Sequence, residues 1–416
     1  MDSQVNGTMA VQPRAPTGGT GVVMDAAIQS RAAGRPLPFR QFVLKLHSRC
    51  NLACDYCYVY TMADQRWRSR PYVMSRGIMD WTAIRVAEHV RAHALTSVEV
   101  IIHGGEPLLA GASEIEYCVQ RIRAAVGADA EVRVGLQTNG TLLDANYLQM
   151  FTELGVRVSV SLDGDGAAHN RHRRGHHGVG SHAAVRQALQ KLTCDIYRPL
   201  FAGLLCTIDV RNAPISTYEA LVGFAPPLVD FLLPHGNWTA PPPMRSAKST
   251  ATPYADWLIT VFDRWYAAPE RETRVRMFDE IINLLLGGRS QVEGVGVSPG
   301  RMVVVETDGA IEQSDMLTSA YEGAAATGLR VEDDSFDTAL GLPGFIARKH
   351  GSAGLPSDCL DCNIRQICGG GLHPHRYRRD NGFDNPSVYC LDLYRLIGHI
   401  RSRLATDVAK LRKDSS

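Results

Sequence analysis

The hydrophobic positions between residues 42 and 233 follow two alternating spacings. Short apolar runs rich in β-branched residues recur along the chain, and longer segments with apolar residues at helical spacing separate them. The short runs predict six strands: Phe42–Leu46, Val98–Ile102, Val132–Gln137, Val156–Leu162, Phe201–Ile208 and Val229–Leu233. The longer segments predict five helices: Arg76–Ala94, Ser113–Val126, Asp144–Leu154, Ser181–Leu192 and Ser216–Phe224.

Serine or aspartate residues stand at the starts of several of these helices. Ser75, Ser113 and Asp144 are predicted N-caps, because their side chains can accept hydrogen bonds from free backbone N–H groups of the first turn. Strands that are separated by helices form parallel pairs with right-handed crossovers. We therefore expect an α/β fold whose sheet is either doubly wound or curved into an incomplete barrel. In both architectures the functional site lies at the C-terminal ends of the strands.

The alternating pattern ends at the proline run 241–243, and the rest of the chain has a different organisation. Two helices are predicted at Tyr254–Tyr266 and Thr273–Leu286, and a final helix at Asp392–Ala405. Between them, Met302–Val305 and Ala310–Gln313 predict a β-hairpin with Asp-Gly in its turn. We expect a disordered tail at 1–37, a large domain at 38–239, a helical bridge at 240–300 and a small cysteine-rich domain at 301–416.

Composition and charge exclude several classes of protein. The 416 residues are 45% hydrophobic and 21% charged, which is typical of a globular protein of two to three domains. The net charge is +1, which argues against a broad electrostatic surface for nucleic acid or anionic lipid. The sequence has no apolar run of about 20 residues and no secretory signal, so we expect a cytoplasmic protein without membrane or nucleic-acid partners.

The ten cysteines fall into two groups and three isolated positions. Three lie between residues 50 and 57, four lie between 359 and 390, and Cys118, Cys194 and Cys206 stand alone. In the absence of an export signal, metal or redox chemistry is a better explanation for the groups than disulfides. We expect the three isolated cysteines to be small core residues.

The first group, Cys50, Cys54 and Cys57, directly follows the first predicted strand. Three thiolates on one loop can bind three irons of a [4Fe–4S] cube and leave the fourth iron open for a ligand. The alternative is a structural zinc site, which needs four ligands and for which His47 could supply the fourth.

The spacing of this triplet resembles the cluster motif of radical S-adenosylmethionine (SAM) enzymes. Further similarities follow at successive strand ends, and they imply that SAM is bound by Tyr56, Gly104, Gly105, Glu106, Gln137, Asn139, Ser161, Asp163 and Arg173. In the family, the glycine turn and its glutamate bind the methionine amino group, and the tyrosine lies against adenine. The resemblance also implies a partial (β/α)6 TIM barrel, an α/β fold that the six predicted strands fit.

The second group, Cys359, Cys362, Cys368 and Cys390, supplies four thiolates, which is a closed set for one cluster or one zinc ion. It resembles the SPASM extension of radical SAM peptide-modifying enzymes, which typically holds two auxiliary [4Fe–4S] clusters. Ser314 and Leu372 stand at two positions where that extension has further cysteines. The resemblance therefore implies one auxiliary cluster, and two [4Fe–4S] clusters in the whole chain.

Other polar residues are candidates for catalysis or metal binding. Asp315 matches an aspartate that approaches the substrate in relatives and can take a proton, so it is the candidate catalytic base; the alternative is an exposed hairpin carboxylate. The histidine-rich stretch 169–177 is interpreted as a polar loop over the SAM site. His373 and His375 are interpreted as part of a hydrogen-bonded loop rather than as metal ligands.

Longer phrases, such as CGGGLHPHRY and RDNGFDNPSVYC, resemble the FxsB-type subgroup of radical SAM/SPASM peptide maturases. The resemblance implies an oxidoreductase that acts on a ribosomally made precursor peptide and takes electrons from a flavodoxin or ferredoxin. A 5′-deoxyadenosyl radical would start a carbon–carbon crosslink between an aromatic side chain and the Cβ of a nearby residue, giving a cyclophane. Thioether formation, epimerisation and another crosslink remain alternatives, as does a non-catalytic zinc-binding protein.

The segment before Pro38 is too short for a leader-binding domain. We therefore expect the leader of a precursor peptide to be recognised by a separate protein, by the bridge 240–300 or by an exposed strand edge.

Overall fold

The structure is a computed structural model that describes residues 37–246, 249–290, 292–297, 300–349 and 354–414. The predicted tail at 1–37 lies outside these residues, apart from Leu37.

All six predicted strands are present and pair in parallel in the order of the sequence. They are β1 (Gln41–His47), β2 (Ser97–Gly104), β3 (Glu131–Thr138), β4 (Val156–Ser161), β5 (Phe201–Thr207) and β6 (Leu228–Leu232). The order never reverses, whereas a doubly wound sheet reverses at its switch point. The sheet is therefore a partial barrel, and all six strands end on the same side of it.

Helices connect the strands: α1 (Arg76–Ala92), α2 (Ala112–Val126), α3 (Ala145–Leu154), α4 (Gly166–His172), α5 (His182–Leu192) and α6 (Pro214–Val222). The predicted N-caps Ser75 and Asp144 are confirmed, because each accepts a hydrogen bond from the backbone N–H three residues later. The predicted cap at Ser113 is wrong, since α2 begins earlier and Gly111 is its N-cap. Helix α4 was not predicted; its Asp165 cap accepts bonds from two backbone N–H groups.

Side chains of the strands and of the surrounding helices pack into one continuous hydrophobic core. Val100, Ile102, Val158 and Phe231 have no accessible surface, and helix residues such as Val86 close over them. Complete burial of side chains of this size contributes about 1.5–3 kcal/mol each. The core therefore fixes the strand ends, where the polar residues of the site emerge.

The predicted bridge 240–300 adds another parallel strand to the sheet. Helix α7 (Pro253–Tyr266) is confirmed, but the predicted helix Thr273–Leu286 is wrong at its start. Arg274 and Val275 instead form β7, which pairs in parallel with β6, and helix α8 (Arg276–Leu285) begins after it. Two residues are too few to show a strand periodicity in the sequence.

The predicted hairpin is confirmed, and it extends the same sheet. Strands β8 (Met302–Val305) and β9 (Ala310–Glu312) are antiparallel, and β8 pairs in parallel with β1. The turn between them contains Gly309 at φ +85°, a conformation that favours glycine. An additional strand, β10 (Ala326–Arg330), pairs with β9 through an irregular register and was not predicted. The strand order is thus β10-β9-β8-β1-β2-β3-β4-β5-β6-β7.

Short helices and one long helix make up the remaining C-terminal part. They are α9 (Phe336–Leu340), α10 (Pro343–Lys349), α11 (Ser357–Leu360), α12 (Arg365–Cys368) and α13 (Cys390–Asp414). Helix α13 packs against α7 and extends beyond the predicted Asp392–Ala405 at both ends. Among the described residues, no helix combines the length and the apolar character needed to span a bilayer.

Candidate active site

The first cysteine group lies on the loop that leaves the C-terminal end of β1. Cys50, Cys54 and Cys57 are partly buried, and none of them forms a disulfide. The loop is attached to the segment after α4: the N–H of Ala53 donates to the carbonyl of Arg174 at 2.7 Å. Three free thiols on one short loop are a donor set that suits an iron–sulfur cluster with one open iron.

Burial keeps these thiols protonated when no metal is bound. It raises the pKa of Cys50 to about 12 and the pKa of Cys54 to about 11. Deprotonation therefore requires the positive charge of a metal, and metal binding releases the protons.

The glycine turn at the end of β2 packs directly on the cysteine loop. The N–H groups of Gly105 and Glu106 donate to the carbonyls of His47 and Arg49, at 2.8 and 3.0 Å. A Cβ added at Gly105 would lie 1.8 Å from the hydroxyl of Tyr60 and 2.4 Å from the Arg49 carbonyl. A Cβ at Gly104 would meet the His47 carbonyl at 2.4 Å. Only glycine allows these two backbone segments to approach so closely.

The buried carboxylate of Glu106 accepts hydrogen bonds from other residues of the protein. It has no accessible surface, and its carboxylate accepts hydrogen bonds from Leu108 N, Thr138 Oγ1 and Asn139 N, at 3.1, 2.7 and 2.7 Å. Burial raises its pKa to about 7. This geometry joins the turn after β2 to the end of β3, so Glu106 positions the turn; a direct contact with the SAM ammonium stays a prediction.

Asn139 contacts the cysteine loop, whereas Gln137 makes no such contact. Asn139 Nδ2 lies 3.6 Å from Cys50 Sγ and donates to Asn51 Oδ1 at 2.9 Å. The side chain of Gln137 is half-buried and makes no hydrogen bond within the described part of the chain. Its amide thus remains available to a ligand.

Tyr56, Asp163 and Arg173 form one cluster across three segments. The Tyr56 hydroxyl donates to Asp163 Oδ2, to which Arg173 Nε also donates at 2.8 Å. The guanidinium lies 5.5 Å from the centre of the Tyr56 ring. Asp163 Oδ1 accepts the N–H of Thr207, which ties the cluster to the end of β5. Ser161 is buried at the end of β4, just before this cluster.

The histidine-rich stretch is partly helical, so the prediction of a polar loop was wrong for its first half. Residues 169–172 belong to α4, and the buried His169 is hydrogen-bonded to Ser181 Oγ at 2.9 Å. The following segment does reach the cysteine loop, because His176 Nε2 lies 2.9 Å from the carbonyl of Cys50.

Asp315 is buried, so the alternative of an exposed hairpin carboxylate is wrong. It begins a 3₁₀ helix, Asp315–Ser319, and its Oδ2 accepts hydrogen bonds from Lys45 Nζ and from the Tyr58 hydroxyl, the latter at 2.7 Å. Burial alone would raise the pKa of this carboxyl, but the positive charge of Lys45 lowers it below its usual range. Asp315 is therefore an ionised, hydrogen-bonded carboxylate.

Lys45, His103 and Tyr58 are site residues that the sequence interpretation missed. Lys45 and His103 are register partners on β1 and β2, and Lys45 Nζ lies 2.8 Å from His103 Nδ1. Burial, followed by the charge of Lys45, lowers the pKa of His103 to about 3, so its imidazole is neutral. A lysine inside the apolar run of β1 was the available signal, because an unpaired charge is rarely buried.

A polar cavity of about 410 Å³ opens between the glycine turn and the hairpin. Gly104 and Gly105 bound it on one side, and Asp315, Glu306 and Thr318 bound it on the other. Its remaining lining residues are Lys45, His47, Ser48, Val59, Asp64, Trp67 and Arg70. The cavity therefore brings the candidate base next to the segment that carries the SAM motifs.

The second cysteine group forms a site of its own. Cys359, Cys362, Cys368 and Cys390 all line one cavity of about 330 Å³. The backbone beside it turns through three consecutive glycines, and the carbonyls of these glycines accept hydrogen bonds from the Arg376 guanidinium. Four convergent thiols fit a closed [4Fe–4S] cluster.

The two positions that lack the further cysteines of the SPASM extension precede two short helices that contact each other. Ser314 and Leu372 are the N-cap residues of the 3₁₀ helices Asp315–Ser319 and His373–Arg376, which pack together. Ser314 Oγ is buried without a hydrogen-bond partner in the described structure. A hydroxyl and a leucine cannot replace two thiolates, so the donor set does not fit a second auxiliary cluster here.

The isolated cysteines differ in burial. Cys118 and Cys206 are core residues, as predicted. The prediction for Cys194 was wrong: it is exposed, because α5 ends at Leu192 and the following segment turns at the surface.

Comparisons with known proteins agree with this geometry. The sequence model of the Radical SAM superfamily matches residues 44–193. The chain is 26% identical over 363 residues to the cysteine-type anaerobic sulfatase-maturating enzyme of Clostridium perfringens, covering 85% of this chain and 94% of that protein. It is 22% identical over 388 residues to the serine-type enzyme of Bacteroides thetaiotaomicron, covering 87% and 89%.

A solved structure has the same fold. Native anSMEcpe with bound AdoMet and Cp18Cys peptide superposes with a TM-score of 0.75 at 21% identity, covering 89% of this chain and 99% of that one. The superfamily match includes the cysteine loop and the strand ends of β2, β3 and β4, so the alternative of a non-catalytic zinc-binding protein is set aside. The chain therefore matches the Radical SAM superfamily over residues 44–193, which contain the cysteine loop and strands β2 to β4.

Proposed function

We propose that this enzyme modifies a residue of a peptide or protein substrate by radical chemistry. The observation that carries the proposal is the polar cavity between Gly104–Gly105 and Asp315, which lies beside the cysteine loop. Its lining residues would surround one side chain of a larger substrate. Relatives that share most of the chain's length include sulfatase-maturating enzymes, and the anSMEcpe structure contains a peptide.

Two cysteine sets would hold the cofactors. Cys50, Cys54 and Cys57 would bind the [4Fe–4S] cluster that chelates SAM, and the second group would bind an auxiliary cluster. When bound, these groups supply a carbon radical able to remove hydrogen from an unactivated C–H bond, together with one-electron transfer. A flavodoxin or ferredoxin is the proposed electron donor.

The chain's own residues orient the cofactor and shield it from water. The turn Gly104–Gly105 presents backbone groups at the end of β2, while Gln137, Asn139 and Ser161 lie at the ends of β3 and β4. The cluster of Tyr56, Asp163 and Arg173 keeps the cysteine loop against these strand ends. Rigid placement of this kind lowers the entropic cost of reaching a reactive geometry.

Asp315 is proposed to accept a proton from the substrate. Its ion pair with Lys45 makes it a weak base, which suffices when the proton to be removed is strongly acidic. Tyr58 and Lys45 also fix the orientation of its carboxylate, so the unshared oxygen, Oδ1, is the one available for the substrate.

The specific reaction that we propose is a carbon–carbon crosslink in a ribosomally made precursor peptide. It would join an aromatic side chain to the Cβ of a nearby residue and form a cyclophane. The support is the resemblance of the phrases around Cys368 and Cys390 to FxsB-type maturases.

A second candidate is maturation of a sulfatase-type protein. The observation that favours it is the extent of the likeness to sulfatase-maturating enzymes, which covers 82–87% of this chain in both the cysteine-type and serine-type relatives.

The test uses the anaerobically purified, iron-loaded protein with SAM, a reductant and either the peptide encoded beside its gene or a sulfatase peptide. We expect tandem mass spectrometry to find a loss of two hydrogens and an aromatic linkage in the encoded peptide. A change in the sulfatase peptide alone would favour the second candidate. An unchanged mass with an inverted residue would indicate epimerisation.

Four variants are compared in the same assay. Cys50→Ala should abolish SAM cleavage, while the exposed Cys194→Ala should retain it; cleavage by Cys50→Ala would contradict the proposal. Asp315→Asn should retain SAM cleavage and lose product at least tenfold, whereas Asp333→Asn, at an exposed position, should change neither.

A further inference from the structure

Two histidines and an aspartate converge on the side of the barrel's first helix. His89 lies in the last turn of α1, and His93, four positions later, is the C-cap residue of that helix. Asp337, on α9, places Oδ1 2.6 Å from His89 Nδ1 and 2.8 Å from His93 Nε2. The three potential ligand atoms all lie within 4.8 Å of one another.

The surroundings of this triad are apolar on one side and open on the other. His89 is fully buried, and the rings of Phe39 and Phe42 lie 5.6 and 5.9 Å from its ring. His93 and Asp337 retain 25% and 42% of their side-chain exposure, so water can reach the triad. An apolar shell behind a partly hydrated set of ligands strengthens metal binding by lowering the local dielectric constant.

We propose that His89, His93 and Asp337 bind one divalent cation of the zinc class, with solvent completing the coordination. Two imidazole nitrogens and one carboxylate are a common zinc set, and the remaining position can hold water. Histidine binds metal through a neutral ring nitrogen.

The site is separate from the first cysteine group. Phe39 precedes β1, and the first cysteine group follows it, so the length of a seven-residue strand, roughly 23 Å, separates the two ends. Active sites of barrels lie at the C-terminal face, so a site at the N-terminal face serves stability rather than catalysis. The cation would therefore link α9 to α1 and fasten the segment after β10 to the barrel. This inference does not depend on the proposed function.

The test measures zinc and iron together in the iron-loaded, full-length protein. The protein is dialysed against zinc and then passed through gel filtration. Mass spectrometry of the metals should find about one bound zinc per chain in the wild type, and this zinc should be lost when a residue of the triad is substituted. His93→Ala and Asp337→Asn should weaken zinc binding at least tenfold without changing the iron content. Both residues are partly exposed, so their substitution leaves the core intact. His399→Ala is the matched control, because it removes a surface histidine paired with the single carboxylate of Asp263.

Two further readouts distinguish the possible outcomes. Zinc absorption spectroscopy should show nitrogen and oxygen ligands at about 2.0–2.1 Å without sulfur. Added zinc should raise the unfolding temperature of the wild type but not of His93→Ala. The inference is wrong if the wild type retains no zinc, which would leave the triad a pair of histidine–aspartate hydrogen bonds. It is equally wrong if the zinc has sulfur ligands or is the same in His93→Ala.

Discussion

The carboxylate of Glu106 combines complete burial with three hydrogen bonds, and this combination gives the protein a pH dependence. Its pKa is about 7 in the folded chain and about 4.3 in the unfolded chain. The folded state therefore holds the proton more tightly. Protonation of Glu106 therefore contributes to the free energy of unfolding. This contribution is fully present below about pH 4, and it is lost as the pH rises to about 7, at up to about 1.4 kcal/mol per pH unit.

Glu106→Gln should flatten this dependence, since glutamine does not titrate. We expect the unfolding free energy of the wild type, relative to Glu106→Gln, to fall between pH 4.5 and 7, measured by urea denaturation. Glu99→Gln is the control, because Glu99 is an exposed carboxylate on β2, the strand that precedes Glu106. A difference that is constant with pH would show that Glu106 remains charged throughout.

At the scale of residues, the sequence was informative where chemistry requires a fixed spacing. Cys50, Cys54 and Cys57 could be grouped from their positions alone. The hydrogen-bond partners of Asp315 could not be predicted in this way. Lys45 and Tyr58 are more than 250 residues away in the chain, and the pairing of β1 with β8 brings them to Asp315.

At the scale of elements, the contact between the turn after β2 and the cysteine loop is the tightest in the site. The predicted consequence concerns Gly105, where a methyl group would overlap the Arg49 carbonyl. Gly105→Ala should displace the cysteine loop and lower the affinity for SAM at least tenfold, as measured by equilibrium binding. Gly398→Ala, in the middle of α13 with open space around its Cα, should leave SAM affinity unchanged and stabilise the helix by about 0.5–1 kcal/mol. Equal SAM affinity in both variants would contradict the assigned contact.

The strength of an element's pattern determined how well it could be predicted. Strands β1 to β6 each show apolar residues over a segment of five or more positions, and each was found with its ends within two residues of the prediction. Strand β7 has two residues and β10 is interrupted by a bulge, so neither has a readable period. Their pairing is decided by the neighbouring strand rather than by their own sequence.

At the scale of the whole molecule, the seven grouped cysteines predict the iron content. Two [4Fe–4S] clusters correspond to about eight irons per chain. The double variant Cys359→Ala/Cys362→Ala should lose about half of the iron, because both residues line the second cavity, and should still cleave SAM. Iron analysis and the yield of 5′-deoxyadenosine check the two parts separately. About twelve irons in the wild type would mean that Ser314 and Leu372 do not mark a lost cluster.

The pairing of β8 with β1 has a consequence for how the chain folds during synthesis. The paired residues, such as Gln41 and Met302, are about 260 positions apart, so β1 leaves the ribosome on the order of 10–50 s before its neighbour exists. During that time one edge of an apolar strand has no partner and can pair with another chain. Until β8 has been synthesised, the barrel is therefore an incomplete folding intermediate. The exposed edge of β1 is then covered either by a chaperone or, later, by the C-terminal hairpin.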